Sequence, residues 1–271
     1  MPELPEVETS RRGIAPHIQG KTFQEIIVRQ PRLRWPVPGS LTSTLPGLRL
    51  DRVERRGKYL LLATTAGTLI LHLGMSGNLR ICDRGQPALK HDHADFIFSD
   101  GTLLRFNDQR RFGAILWTDA PAEQHALLAE LGPEPLSDAF NAEFLLHHCR
   151  NRRAPIKSLI MDSHVVVGVG NIYASESLFL AGVHPNRPAG EIEPAACRRL
   201  CEAIKTVLQR AIEQGGTTLR DFVNAQGKPG YFQQSLSVYG RAGQSCLKCA
   251  EPIQHIKIGQ RASYFCGTCQ A

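Results

Sequence analysis

The stretch CLKC at residues 246–249 and the stretch CGTC at residues 266–269 form two close cysteine pairs, with sixteen residues between them. Two C-x2-C turns at this spacing can supply the four thiolates of one tetrahedral zinc ribbon. The predicted ligands of one structural zinc ion are Cys246, Cys249, Cys266 and Cys269. Four protein ligands leave no open position, so this ion would hold a loop in place and would not activate water.

The residues between the two pairs favour the zinc ribbon over its alternatives, two disulfides or four unrelated buried thiols. Residues 253–265 are predicted to form two short strands around Gly259. Lys257 and Arg261 lie in this hairpin, so the loop held by the zinc would be basic.

The chain of 271 residues is long enough for two domains and a small metal module. Its hydrophobic fraction of 42% and charged fraction of 21% are ordinary for a globular protein with a core. A net charge of +7 favours a polyanionic partner, and together with a zinc ribbon it makes DNA or RNA the better candidate.

No apolar run is long enough to cross a bilayer, and the first residues, MPELPE, lack the basic start and apolar core of a signal peptide. We therefore expect a cytoplasmic protein with no membrane partner. In that reducing compartment the scattered cysteines would stay as thiols. They are Cys82, Cys149, Cys197 and Cys201.

Hydrophobic periodicity predicts an α+β multidomain fold that begins with a helix from Pro5 to Ile18, stopped at Gly20. Short β-rich runs follow and predict an antiparallel β-sandwich or barrel.

Beyond Thr118 the spacing of apolar residues becomes helical. The predicted strands are Phe23–Val28, Leu48–Arg55, Tyr59–Thr64, Thr68–Leu73, Phe96–Phe98, Leu103–Phe106 and Ala114–Trp117. The predicted helices are Glu123–Leu131, Asn141–Cys149, Pro155–Met161, Asn171–Ala181 and Pro194–Glu213.

These patterns divide the chain into a β-sandwich domain at residues 1–118, a helical domain at residues 119–230 and a zinc-ribbon module at residues 231–271. The sequence Thr118 to Pro121 is the predicted hinge between the first two.

Pro2 is the first candidate for covalent chemistry. Removal of Met1 would free its secondary amine at the start of a helix, and an amine on a sugar carbon forms an imine. Glu3 and Glu6 are three residues apart and could supply an acid or base. The same residues also suit a plain helix start with proline and an acidic first turn.

Several longer motifs are distributed along the whole chain. They are PELPEVET (residues 2–9), Lys58, HLGMSG (72–77), RRFG (110–113), VGVGNIY (167–173), QGGTT (214–218) and the terminal ribbon. In this order they resemble formamidopyrimidine-DNA glycosylases, the bacterial base-excision enzymes for oxidised purines. The resemblance implies that Pro2 attacks C1′ of the damaged nucleotide and forms a Schiff base. Glu3 would be the acid that assists ring opening. Lys58 is predicted to lie on the turn Arg56-Gly57-Lys58-Tyr59 that leads into a strand, and it would contact phosphate beside the lesion and assist catalysis.

By the same resemblance, Met75, Arg110 and Phe112 fill the hole left by the extruded nucleotide. Methionine is a flexible wedge, phenylalanine can enter between base pairs, and arginine can hydrogen-bond the orphaned cytosine. Glu6 is expected to brace the helix and the neighbouring loop.

The resemblance also implies a helix-two-turn-helix motif at residues 165–173, in which Asn171 starts a helix that faces phosphate. Arg261, counted among the catalytic residues, would contact phosphate from the zinc ribbon. Further DNA contacts are expected from His72, Tyr239 and Lys157.

Two short segments complete the set. Gly216, Thr217 and Thr218 resemble the loop that closes over the lesion, although a plain helix exit suits this composition equally well. The sequence His91-Asp92-His93 could ligate a metal, but we expect a polar loop because no further ligands gather nearby.

The predicted function is therefore excision of 8-oxoguanine and formamidopyrimidines, opposite cytosine by preference, followed by β,δ-elimination at the abasic site. The partner would be double-stranded DNA with oxidised bases or abasic sites, bound by a monomer associated with a bacterial nucleoid. One alternative is an endonuclease VIII-like glycosylase for oxidised pyrimidines. Another is a non-catalytic zinc-ribbon protein that senses DNA damage.

Overall fold

The computed structural model describes residues 2–215 and 236–271, and no helix within these ranges is long and apolar enough to cross a membrane. The described residues form two compact units. The first contains the residues up to Ala129 together with Gly215. The second contains Glu130–Gln214 and the residues from Leu236 onward. The three domain boundaries expected from the sequence remain predictions.

The first unit begins with a helix and continues as a β-sandwich. Its elements are α1 (Leu4–Ile18), β1 (Phe23–Val28), α2 (Leu41–Thr44), β2 (Leu50–Arg56), β3 (Tyr59–Thr64), β4 (Gly67–His72), β5 (Asn78–Asp83), β6 (Asp92–Phe98), β7 (Thr102–Asn107) and β8 (Ala114–Thr118). One antiparallel sheet has the order β1-β6-β7-β5 and the other has the order β2-β3-β4-β8. Both sheets and α1 contribute to one apolar core, which confirms the predicted sandwich.

Helix α1 begins one residue before the predicted start because Glu3 serves as its N-cap. The Glu3 backbone N–H donates to the Glu6 carboxylate at 2.8 Å, so a backbone donor that the helix itself cannot satisfy is paired. Glu6 therefore braces the helix start, which confirms the first part of its predicted role; the expected contact with the neighbouring loop stays a prediction. The helix ends at Ile18, and Gly20 follows with φ of +83°, a conformation that favours glycine.

Two predictions for the first unit were wrong because tertiary pairing decides them. The strand β5 was missed, and it lies at a sheet edge where only β7 pairs with it. The sequence His91-Asp92-His93 was expected to be a polar loop, but Asp92 and His93 begin β6 and are buried. Arg80 and Asn107 donate hydrogen bonds to the Asp92 carboxylate, which makes its burial possible.

The predicted helix Glu123–Leu131 was also wrong, since only a 3-10 turn forms at Ala122–Gln124. His125 is extended, and its ring Nδ1 accepts the backbone N–H of Leu127 at 3.3 Å. This local side-chain bond offers the backbone an alternative to helical hydrogen bonding.

The second unit is helical and includes the cysteine hairpin. Its elements are α3 (Ala142–Cys149), α4 (Ile156–Ile160), α5 (Asn171–Ala181), a 3-10 turn at Ala189–Glu191, α6 (Pro194–Glu213), β9 (Gln254–Ile258) and β10 (Arg261–Phe265). Leu200, Ile204 and Leu208 recur at helical spacing on α6 and pack into the core of this unit. Strands β9 and β10 pair antiparallel on either side of Gly259, as the sequence predicts.

Candidate functional site

The start of α1 places Pro2 and Glu3 side by side, and both residues are buried in this structure. Glu3 is only 3% exposed, and the same holds for Glu6. A carboxyl group can act as a general acid or base toward a reacting group that lies within hydrogen-bond reach. The first turn of α1 therefore joins a candidate nucleophile to a candidate acid.

Lys58 lies in the two-residue turn between β2 and β3, where Arg56 pairs with Tyr59. Gly57 has φ of +55° and is the first central residue of the turn, as type II′ hairpins require. The predicted turn Arg56-Gly57-Lys58-Tyr59 is thereby confirmed. Its geometry depends on glycine at position 57, which sets the direction in which the Lys58 side chain leaves the backbone.

A carboxylate that sequence reasoning did not single out connects this turn to α1. Glu8 accepts a hydrogen bond from Arg55 Nε at 3.3 Å, while Arg55 also donates to the carbonyl of Gly57 at 2.9 Å. Arg11 and Arg12 donate to the same carboxylate at 2.8–3.0 Å. The Glu8–Arg55 bridge therefore holds the Lys58 turn against the helix that begins with Pro2.

The arginines also determine the charge state of Glu8. Burial alone would raise the pKa of this carboxyl, but hydrogen bonds from Arg11 and Arg12 and the charges of Arg11 and Arg55 lower it to about 2. Glu8 is consequently ionised at neutral pH.

His72 ends β4 directly opposite Tyr59, and the two rings lie 4.8 Å apart. Burial lowers the pKa of His72 to about 4, with further contributions from the positive charges of Lys58 and Arg34. The Gly74 backbone N–H donates to His72 Nδ1 at 3.0 Å. The neutral ring therefore carries its proton on Nε2, which makes that nitrogen a hydrogen-bond donor.

Arg34 is a second residue that sequence reasoning missed. It is exposed, its guanidinium lies 4.6 Å from the centre of the Trp35 ring, and its backbone N–H donates to the Gly113 carbonyl at 3.1 Å. The available signal was the short basic and aromatic run RLRW at residues 32–35. Arg34 adds a positive charge beside Lys58 and His72.

Met75 and Phe112 are exposed by 38% and 44%, which is unusual for large apolar side chains. The Arg110 guanidinium lies 5.0 Å from the centre of the Phe112 ring. A Cβ added to Gly74 would come within 2.4 Å of the Phe112 backbone. The two loops that carry these residues are thus in direct backbone contact, and the side chains of Arg110 and Phe112 also contact each other.

In the second unit, Asn171 begins α5 as predicted, and its side chain connects three segments. Its amide nitrogen donates to the Ala262 carbonyl at 3.0 Å and contacts the Tyr239 hydroxyl at 3.5 Å. Glu176, which the sequence did not single out, accepts three backbone N–H groups at Ser237, Val238 and Tyr239. Asn171 and Tyr239 are therefore held together with the β9–β10 hairpin.

Lys157 lies beneath this group and is only 1% exposed. Arg261, by contrast, is exposed at the first residue of β10. Both residues line a cavity of about 340 Å³, which Met161 and Asp162 also line. The second unit therefore presents the exposed guanidinium of Arg261 at a cavity whose lining also includes the buried Lys157 and the carboxylate of Asp162.

The four predicted zinc ligands come together in the β9–β10 region. The sulfur atoms of Cys246 and Cys269 are 3.9 Å apart, those of Cys249 and Cys266 are 3.4 Å apart, and all four lie within 4.8 Å of one another. Tetrahedral coordination with bonds of about 2.3 Å needs sulfur separations of about 3.8 Å. A disulfide would need about 2.05 Å. The cluster fits a zinc-finger metal site.

The remaining candidates lie outside the described residues. They are Gly216, Thr217 and Thr218 of the expected lesion loop, and Met1, whose removal would expose the Pro2 amine.

Comparison with known families matches three successive parts of the chain. The formamidopyrimidine-DNA glycosylase N-terminal domain matches residues 1–115, the H2TH domain of the same glycosylases matches residues 131–223, and a zinc finger found in FPG and IleRS matches residues 243–271.

Relatives match over the full length. A formamidopyrimidine-DNA glycosylase of Methylococcus capsulatus is 60% identical over 270 residues, which cover 100% of both chains. The wild-type Lactococcus lactis Fpg (MutM) in complex with DNA containing N7-benzyl-Fapy-dG has a TM-score of 0.90 at 34% identity, with 99% of each chain covered. The Lactococcus lactis Fpg bound to abasic-site DNA gives the same TM-score, identity and coverage. The chain therefore belongs to the formamidopyrimidine-DNA glycosylase family of DNA repair enzymes.

Proposed function

We propose that this chain excises 8-oxoguanine and formamidopyrimidines from duplex DNA and then cleaves the strand at the resulting abasic site. One observation carries the proposal. Pro2 and Glu3 start α1, and the Glu8–Arg55 bridge ties this helix to the turn that presents Lys58. A nucleophilic amine, an acid and a phosphate-binding cation are thus carried by neighbouring elements of one unit.

In the proposed reaction the Pro2 nitrogen, freed by removal of Met1, bonds to C1′ as the glycosidic C1′–N bond breaks. The departing base takes up a proton, and the Pro2 nitrogen loses its own N–H proton once it is bonded to C1′. Glu3 then donates a proton to O4′ as the sugar ring opens, and the Pro2 nitrogen lone pair forms an iminium at C1′. Loss of a C2′ proton expels the 3′-phosphate, and a second elimination expels the 5′-phosphate.

Lys58 and His72 are proposed to bind the phosphates beside the lesion. Lys58 supplies a positive charge, and the neutral His72 supplies its Nε2–H donor without adding a second charge. The low pKa of His72, held down by burial and by Lys58 and Arg34, supports this division of roles. A neutral donor limits the repulsion between neighbouring basic groups.

Extrusion of the damaged nucleotide breaks stacking and pairing at a cost of a few kcal/mol and leaves a hole in the duplex. Met75, Arg110 and Phe112 are proposed to fill that hole, since their exposed side chains project from two adjoining loops. Arg110 would hydrogen-bond the cytosine left without its partner, which accounts for a preference for cytosine opposite the lesion.

The second unit is proposed to bind the DNA backbone through Arg261, Asn171 and Tyr239. Lys157 would contribute to DNA binding by holding Asn171 in position, because its buried ammonium donates a hydrogen bond to the Asn171 side chain. One zinc ion, held by the four-cysteine cluster, would fix the hairpin that carries Arg261. Backbone contacts of this kind give affinity without reading the sequence.

Borohydride trapping tests the proposed chemistry. The protein is mixed with a duplex that carries 8-oxoguanine opposite cytosine, the iminium is reduced, and the cross-linked peptide and the mature N-terminus are identified by mass spectrometry. A covalent complex mapped to Pro2 is expected, and Pro2→Gly should abolish both the complex and strand nicking. Tight binding with a free Pro2 amine but no complex would instead indicate a damage sensor.

The substrate class is tested in the same assay with thymine glycol in place of 8-oxoguanine. Faster excision of 8-oxoguanine is expected. Faster excision of thymine glycol would assign the chain to the endonuclease VIII-like activity. Metal analysis should find one zinc per chain, and its removal by a chelator should abolish DNA binding while the β-sandwich keeps its circular dichroism signal. Binding that survives chelation would make the ribbon dispensable.

A further inference from the structure

Asp108 is a completely buried carboxylate that the proposed reaction leaves without a role. It lies where two loops cross from one sheet of the sandwich to the other. The Met75 loop, residues 73–77, joins β4 to β5, and the Phe112 loop, residues 108–113, joins β7 to β8. Because β4 pairs with β8 and β5 pairs with β7, the two loops run side by side at one end of the sandwich.

The Asp108 carboxylate binds both loops at once. Its Oδ1 accepts the Ser76 hydroxyl at 2.7 Å and the Arg110 backbone N–H at 3.2 Å. Its Oδ2 accepts the Gly113 backbone N–H at 2.7 Å. The Ser76 oxygen in turn accepts the Arg110 N–H at 3.1 Å, which closes a small network between the loops. Ser76 follows Met75 and Gly113 follows Phe112, while Arg110 is itself one of the three residues proposed to fill the hole in the duplex.

The backbone of Asp108 is fixed as firmly as its side chain. Its N–H donates to the His91 carbonyl at 3.0 Å, and its own carbonyl lies 2.7 Å from His93 Nε2. The same carbonyl accepts the N–H of Arg111 at 3.3 Å, and Arg111 has φ of +57°. A left-handed arginine is unfavourable by about 1–2 kcal/mol, so the surrounding contacts must hold it in place.

The chemistry of the network requires a carboxylate. Asparagine has nearly the same shape, and its oxygen could replace Oδ1. Its NH₂ group, however, would face the N–H of Gly113 in one orientation of the amide and the N–H of Arg110 in the other, and two donors cannot pair. Asp108→Asn therefore breaks one of these two links while it preserves the volume of the buried side chain.

We propose that Asp108 is a positioning residue that locks the Met75 loop and the Phe112 loop into one rigid unit before DNA binds. The inference rests on the proposed function, because it concerns how Met75, Arg110 and Phe112 enter the duplex. Three side chains held in one arrangement replace the extruded nucleotide in a single step. Without the lock, each loop must be ordered during extrusion, which slows that step and loosens the fit to the opposite base.

Two substrates separate this role from the chemistry. A duplex with 8-oxoguanine opposite cytosine requires extrusion, whereas single-stranded DNA with an abasic site requires only imine formation at Pro2. We expect Asp108→Asn to slow single-turnover excision from the duplex on the order of 100-fold, the size that a misplacement of about 1 Å produces. The preference for cytosine over adenine opposite the lesion should shrink in the same variant. Borohydride trapping on the single strand should match the wild-type protein.

Asp100→Asn is the matched control, because Asp100 is an exposed acid on another turn of the same sheet, where it pairs with Lys21 and Thr102. It should behave as wild type in both assays. Ser76→Ala removes one donor to the carboxylate and keeps Asp108 itself, so it should slow duplex excision less than Asp108→Asn does. If Asp108→Asn fails to fold, Ser76→Ala tests the proposal in its place.

The outcomes are distinct. An equal loss on both substrates would reduce Asp108 to a structural residue, and no loss on either would remove its role altogether. Absence of trapping by the wild-type protein on the single strand would overturn the proposed function instead.

Discussion

The ammonium of Lys157 donates a hydrogen bond to Oδ1 of Asn171 at 2.6 Å, inside the second unit. The same nitrogen donates to the Ser263 hydroxyl at 2.7 Å and to the Ala262 carbonyl at 3.3 Å. These three acceptors can satisfy the three donors of a buried ammonium group. Through this one atom α4 is tied to the start of α5 and to β10.

Lys157→Met should lower the free energy of unfolding by about 2 kcal/mol, because buried acceptors lose their partner at a cost of about 1–3 kcal/mol. It should also weaken DNA binding, since Asn171 and the hairpin lose their common support. Chemical denaturation and a binding titration measure the two effects. Lys205→Met is the control, because among the described residues Lys205 donates one hydrogen bond, to the Ser137 carbonyl at 2.8 Å. Equal effects of both substitutions would contradict the bridging role.

Arg261→Ala should reduce the slope of log binding constant against log salt concentration by about 0.9, the value for one lost phosphate contact. The reason is that the exposed guanidinium releases a counterion when it binds phosphate. Titrations at several salt concentrations measure the slope. Arg84→Ala removes the same charge from an exposed residue that contacts Gln24 and Glu25, and it should leave the slope unchanged. An unchanged slope in Arg261→Ala would exclude the phosphate contact.

His72 should remain neutral down to about pH 4, because burial, Lys58 and Arg34 lower its pKa. A depressed histidine pKa means that its contribution to stability is complete above the ordinary value of 6.5 and is lost as the pH falls through about 4. NMR of the ring nitrogens should find the proton on Nε2 throughout the neutral range. His164 is the internal comparison, since hydrogen bonding and the charge of Asp162 raise its pKa. Titration of His72 near pH 6.5 would contradict the burial argument.

Glu8→Gln should lower the free energy of unfolding at pH 7 by on the order of 3 kcal/mol, because a carboxylate with a pKa of about 2 is replaced by a neutral amide facing three arginines. The pKa lies below the ordinary 4.5, so the difference should persist above pH 4.5 and vanish as the pH falls through about 2. Urea unfolding across this range measures it. Glu54→Gln, at an exposed carboxylate paired with Arg52, should cost far less. A difference independent of pH would show that charge is not the cause.

Glu8→Gln also tests the bridge to Lys58. Trapping at Pro2 should slow in this variant, because the turn that carries Lys58 is held to α1 through Arg55. Arg55→Lys is the companion variant and should slow trapping as well. A lysine has one charged nitrogen, whereas the guanidinium of Arg55 bonds Glu8 and the Gly57 carbonyl at the same time. Wild-type trapping rates in both variants would limit the bridge to a role in stability.

Elements governed by neighbouring residues were predicted well from the sequence. The start of α1, the glycine turn before Lys58, the start of α5 at Asn171 and the hairpin around Gly259 all depend on signals within a few residues. Cysteine spacing likewise determined which four thiols would meet. In each case the sequence separation of the interacting groups is short or the residue type is unusual.

Two of the three misses have the opposite property, because the partners that decide them lie on other strands. Strand β5 forms only because it pairs with β7. The buried start of β6 depends on hydrogen bonds to Asp92 from Arg80 on β5 and from Asn107 on β7. The apolar spacing of residues 123–131 suggested a helix, but a hydrogen bond to His125 favoured a turn. Local patterns cannot report partners that the fold supplies.

The sequence by itself determined the candidate metal ligands through cysteine spacing, and its resemblance to a known family indicated the class of protein and the candidate nucleophile. Only the tertiary structure decided which charged residues are buried and what they hold. Glu8, Asp108 and Lys157 look in sequence like ordinary surface charges, yet each is buried and paired with groups from separate segments. The physical reason is that a charge can leave water only where the fold brings it enough hydrogen-bond partners.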